Sequence, residues 1–162
     1  MAFLFYYILL DKLKNMVIDS LKALFDRDLD KLKKEISSYQ KEKNLWKTHK
    51  NINNSAGNLC LHIIGNLNHF IGHTLGNSEY SRDREAEFSE KNIPVQDLKR
   101  KIDEVKTTIY NTMGGLDTEL LGDVYPINVF GYEMTNLFFL IHLHSHLTYH
   151  LGQINYHRRL IE

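Results

Sequence analysis

TNLFFLIHLHSHLTYHLGQINYHRRL, residues 135–160, is the most apolar stretch of the chain and holds its densest group of histidines. Leu143, Leu147, Leu151 and Ile154 recur at steps of three and four with no proline among them, so the segment reads as one long helix. On that helix His142, His146 and His150 share a face, each four residues from the next. One ion does not reach all three: His142 and His150 stand roughly 12 Å apart along the axis, against metal–nitrogen bonds of about 2.0 Å. Only an adjacent pair can chelate. Spacing leaves His142 with His146 and His146 with His150 tied, since both pairs sit beside apolar neighbours.

The same periodicity predicts three further helices. Val17, Leu21, Leu24, Phe25, Leu29, Leu32 and Ile36 recur at helical steps between charged residues, which places helix one from Leu10 or Val17 to about Tyr39. Asn54 or Ser55 caps helix two, AGNLCLHIIGNLNHFIGHTLG (residues 56–76), with Leu59, Ile63, Leu67, Phe70 and Ile71 apolar and Gly76 as its stop. Helix three starts at Pro94, carries Leu98, Ile102, Val105, Ile109 and Met113, and is closed by Gly114 and Gly115. The connections 77–94 and 117–133 are too long for tight hairpins, so helices adjacent in sequence need not be antiparallel. Four helices without strand alternation predict an all-α four-helix bundle.

Composition bounds the function. A chain of 162 residues can build one domain with a true core, not two. Twenty Lys+Arg balance twenty Asp+Glu, so no global field draws the chain to nucleic acid or an anionic bilayer, and neither is expected as a partner. With 43% hydrophobic and 25% charged residues, a disordered or fibrous chain is excluded. Cys60 is the only cysteine, which forbids an intrachain disulfide and makes a reducing, cytoplasmic location the simplest expectation. The apolar run Ala2–Leu10 is too short to span a bilayer and lacks the basic start and small-residue cleavage site of a secretory signal. Residues 1–15 therefore read as an extension ahead of a second start at Met16, or as the first part of helix one whose aromatics pack on the body or on a second copy in a homodimer; the domain proper is 16–162.

Nine histidines are the unusual feature. On helix two His62 and His69 lie seven residues apart on nearly one stripe, with Asn66 between them, and either can supply a third imidazole. Three neutral histidines around a divalent ion leave positions open for water or substrate, as catalytic sites do. The plainer reading is a hydrogen-bonded histidine pair in a core. Cys60 sits two residues before His62, about 200° round the helix, and so reads as a small core hydrophobe. Trp46, the only tryptophan, reads as a core anchor or as the wall of a pocket. His49, His73, His144 and His157 read as surface, capping or core residues. The charged run from Tyr80 to Phe88 reads as a solvated loop, or as a segment that docks on the bundle and covers one end.

The segments LCLHIIGNLNHFIG, YSRDREAEFS and HLTYHLGQINYHRRLI resemble the DinB-like, bacillithiol-transferase-like superfamily of four-helix proteins, within a bacterial branch of unknown function. The resemblance runs from about Met16 to Ile161. Its most specific element is a histidine, three residues, a second histidine and then Gly-Gln, met here as His146, His150, Gly152 and Gln153. It implies an up-down-down-up bundle and a divalent metal, zinc or nickel, held by His62, His146 and His150. His69 and His142 then become pocket residues or outer partners, as do Asn66 and Gln153, one turn from ligand positions. Many relatives carry an arginine where this chain has Leu151.

Relatives of the superfamily include S-transferases that conjugate a low-molecular-weight thiol to an electrophile, which makes such a thiol the implied partner. A bound dication favours thiolate over thiol at neutral pH, so the protein needs no nucleophilic cysteine of its own. Two alternatives stand beside this one: a non-catalytic stress-related binding module with a structural or vestigial histidine site, and a metal-dependent hydrolase using an acidified water.

Overall fold

Ile18, Leu21, Phe25, Leu29, Leu32 and Ile36 form one buried stripe along α1 (Ala2–Ser37) in a computed structural model that describes residues 2–162. The register differs by one residue at its start from the expected pattern: Val17 is 37% exposed and Ile18 takes its place in the core. Two adjacent apolar residues allow either phase, and the core selects the one continuous with Leu21 and Phe25. α1 is a single helix from Ala2, with no break at Met16. The packing expected of the aromatic run Ala2–Leu10 falls largely outside the residues whose side chains are described; of that run Tyr6 and Leu9 are described, and both are exposed.

Ser55 is the N-cap of α2 (Ala56–Leu67), its hydroxyl accepting from the amide of Asn58 at 3.2 Å. All twelve residues of α2 are buried, which places this helix at the centre of the molecule. Helix two does not run unbroken to Gly76: it passes into a wider π-helical turn at Asn68–His73. α3 (Arg84–Ser89) follows, capped by Asp83 and packed on α2, so the charged run docks rather than remaining a solvated loop. Pro94 is the residue before α4 (Val95–Gly115), whose Leu98, Ile102, Val105, Ile109 and Met113 are buried as the periodicity predicts. Thr135 caps α5 (Asn136–Ile161), which buries Phe139, Leu140, Leu143, Leu147 and Ile154.

Among the described residues the structure is all-helical, with no β-strand beyond two isolated bridges. α1 packs on α4 and α5, and α2 packs on the same two, so that α1 and α2 meet across the core rather than side by side. The long α1–α2 connection follows from that order, because consecutive helices on opposite sides of a core cannot be joined by a tight turn. No helix among the described residues is long and apolar enough to cross a membrane.

Candidate metal centre

Each of the three histidines is fixed by the helix that bears it. His62 lies mid-way along the buried α2 and is itself buried, while His146 and His150 are one turn apart on the α5 face that packs against α2. His62 Nε2 is 3.3 Å from His146 Nε2, and His150 Nε2 is 3.1 Å from the same atom. One ligand nitrogen from each ring lies within 4.8 Å of the other two, and no other group of three His, Cys, Asp or Glu among the described residues is so placed. These three histidines could hold a metal ion. A tetrahedral dication with bonds of about 2.0 Å spans ligand nitrogens roughly 3.3 Å apart, close to the 3.3 and 3.1 Å that separate His146 Nε2 from its two neighbours.

The outward nitrogens fix the tautomers. His62 Nδ1 donates to Glu87 Oε2 at 2.9 Å, and His150 Nδ1 donates to Gln153 Oε1 at 2.7 Å. In their neutral forms both rings therefore present an Nε2 lone pair, and both Nε2 atoms face His146 Nε2. A single proton on His146 Nε2 can be donated to one of them only, leaving the other lone pair opposed; a cation satisfies all three. Burial pushes His146 down to about 3, helped by the neighbouring His150 and His62, and burial also lowers His150. Both imidazoles are therefore neutral at pH 7, the form that binds metal.

Glu87 was not identifiable from the sequence as a partner of this site. It sits on α3, only 5% exposed, and is held also by Arg82, whose Nε and Nη2 lie 2.6 and 2.9 Å from its oxygens. Burial acts to raise its pKa, but the bonds from His62 and Arg82 prevail and hold it below the usual carboxylate range. Gly65, one turn beyond His62, makes this approach possible: a Cβ there would collide with the Glu87 carboxylate. A glycine three residues after a candidate histidine is the one sequence signal that could have pointed to such a notch.

The other named residues are placed as follows. His69 lies one and a half to two turns down α2's axis from His62, within the π-helical turn, and stacks on His73 with centroids 5.8 Å apart; its Nδ1 is buried without a partner. His142 packs flat on Phe139 and edge-on to Phe130, with its ring centroid 6.1 Å from that of His146. Neither joins the cluster of three. Asn66 is buried and its Oδ1 has no partner. Trp46 is a core residue, its ring lying so close to Gly57 that a Cβ there would clash. Cys60 is buried, and burial pushes its thiol up to about 12.

The profile of the protein-of-unknown-function family DUF1572 matches residues 10–162, from within α1 to the end of the chain. The chain belongs to this family. All three clustered histidines, Glu87 and Arg82 lie within the stretch that DUF1572 covers. Comparison with curated proteins finds no match to this DUF1572 chain.

Proposed function

We propose that this DUF1572 protein binds one divalent metal, zinc or nickel, through His62, His146 and His150, and uses it as a thiol S-transferase acting on a low-molecular-weight thiol and an electrophile. The convergence of three imidazoles from α2 and α5 on one point carries the reading. The four long helices α1, α2, α4 and α5 would form the up-down-down-up bundle of the DinB-like proteins, which brings an early and a late helix together at such a site. When bound, the dication supplies stabilisation of a thiolate relative to its thiol. The chain's own residues do the rest: Glu87 and Gln153 orient the rings of His62 and His150, and Phe88 packs against His62 with centroids 5.1 Å apart. Cys60 is sealed in the core, so the reacting sulfur comes from the partner. A reducing cytoplasm is the compartment in which such a thiol persists.

The test is the metal content of tag-free protein beside His146→Ala and His150→Ala. One equivalent of metal in the wild type and a loss in both variants supports the site; a metal-free wild type that takes up neither zinc nor nickel on titration removes it. A screen of small thiols against electrophiles, with the same variants as controls, then tests the transferase reading.

A further inference from the structure

A cleft of about 630 Å³ is shared by the loop 51–54, Leu59 of α2 and the second half of α5. The loop contributes three carboxamides, Asn51, Asn53 and Asn54, and α5 contributes Tyr149, Gln153 and Tyr156. Tyr149 and Tyr156 are 64% and 70% exposed, so both rings are open to a ligand. Among the described residues that line the cleft none is Asp, Glu, Lys or Arg, and His157 is held neutral. An ion entering such a space gives up its water without meeting a counter-charge. The lining therefore favours an uncharged ligand, with a flat body for the tyrosines and a polar edge for the carboxamides.

Gln153 decides what that edge is. Its Oε1 accepts from His150 Nδ1 at 2.7 Å, so the end left for the cleft is the Nε2 amide, a donor. A donor in that place binds an acceptor oxygen, one side chain removed from the three-histidine cluster.

Resting on the thiol-transferase reading above, we propose that this cleft receives the electrophile, and that the electrophile is an uncharged, planar α,β-unsaturated carbonyl compound whose oxygen is held by Gln153 Nε2. Conjugate addition suits the lining. The thiolate sulfur bonds to the β-carbon, the π pair moves onto the carbonyl oxygen, and the proton lost by the thiol ends on the α-carbon. No group leaves and no oxidant is needed. Negative charge grows on the oxygen to which the Gln153 amide donates, as stabilisation of an oxyanion requires. A displacement instead expels an anion on the side opposite the sulfur, and the described lining of the cleft offers no cation to receive it.

Acetophenone, a flat ketone without a reactive double bond, and benzoate, of nearly the same shape but charged, probe the cleft in metal-free protein through the side-chain amide signals of nitrogen-15 spectra. Acetophenone should shift the Gln153 and loop asparagine amides, and benzoate should bind at least about tenfold more weakly. Gln153→Glu keeps an oxygen for His150 and removes the donor. Its affinity for acetophenone, read from the loop asparagines, should fall about tenfold, while its uptake of zinc is no weaker than that of the wild type. Tyr149→Ala should cost a similar factor. If Gln153 serves only to orient His150, acetophenone binds Gln153→Glu and the wild type equally; that result overturns the proposal, as does benzoate binding as tightly as acetophenone. With zinc and 2-mercaptoethanol present, 2-cyclohexen-1-one should be consumed faster than its spontaneous rate and iodoacetamide should not; an equal or reversed preference overturns conjugate addition. A protein that takes up no zinc overturns the transferase reading, whereas failure of acetophenone to bind overturns the ligand class of the cleft alone.

Discussion

Glu87 reaches His62 from a six-residue helix, its Oε2 2.9 Å from His62 Nδ1, and Arg82 grips the same carboxylate. Replacing it by Gln keeps the shape and removes the charge that orients and enriches the imidazole. Competition with a chromophoric chelator should show Glu87→Gln binding zinc about 10- to 100-fold more weakly, with one equivalent still bound at saturation. Unchanged affinity would mean that the carboxylate serves α3 docking alone.

Gly65→Ala drives a methyl into the space of that carboxylate. Overpacking of this kind costs about 1–3 kcal/mol, and the urea midpoint should fall accordingly. Because α3 is displaced with Glu87, metal affinity should fall in the same variant. In Gly152→Ala, where the added carbon meets open space inside α5, the urea midpoint should rise, since alanine favours the helix over glycine by about 0.5–1 kcal/mol.

His142→Ala and His69→Ala should keep a full equivalent of metal. Both rings are engaged elsewhere, His142 with Phe130 and Phe139 and His69 with His73. Loss of metal in either, measured by elemental analysis, would place the site on a different set of rings.

His157 is held neutral. Its Nε2 donates to the carbonyl of Lys47 at 2.9 Å and its Nδ1 accepts from the Tyr39 hydroxyl at 2.7 Å, and burial lowers its pKa. An unfolded histidine takes up a proton near pH 6.5 while this one resists, so the unfolded state binds more protons and stability falls as pH drops below that value. The loss is at most about 1.4 kcal/mol per pH unit for one such group. Urea titrations at pH 7.5 and 5.5 should show it, and His157→Gln should flatten the dependence.

Asp28 is a buried anion between α1 and α5, bonded to Arg27 at 2.7 Å, Lys31 at 2.8 Å and His144 at 3.0 Å. The bond from Arg27, ahead of those from Lys31 and His144, holds its pKa far below the usual carboxylate range. A depressed carboxylate stabilises above its unfolded pKa near 3.9 and loses that contribution as pH falls below it. Asp28→Asn should therefore cost about 2 kcal/mol at pH 7 and progressively less below pH 4, read from thermal melts across that range.

The helices were legible because their apolar steps are long and regular, and α4 keeps every expected core position. The start of α1 was misread by one residue because Val17 and Ile18 are both apolar and only packing distinguishes them. Spacing on α5 left two histidine pairs equal; the tie depends on which turn of α5 stands opposite His62, a fact about packing between helices that no single-helix pattern contains. Glu87 was hidden for a related reason. Its burial needs Gly65 on one element, Arg82 on another and α3 folded between them, whereas the charges around it look like those of any solvated loop.

Cys60 lies in the same helix as His62 and is wholly enclosed. The fold has thus supplied its own reporter: an alkylating reagent meets this sulfur only when α2 leaves its neighbours, so the rate of labelling under native conditions measures how often that central rod works loose. Zinc held by His62, His146 and His150 would tie the rod to α5 across 84 residues of chain; adding it should then slow the labelling, and the ratio of the two rates would give the strength of that tie without any knowledge of the reaction.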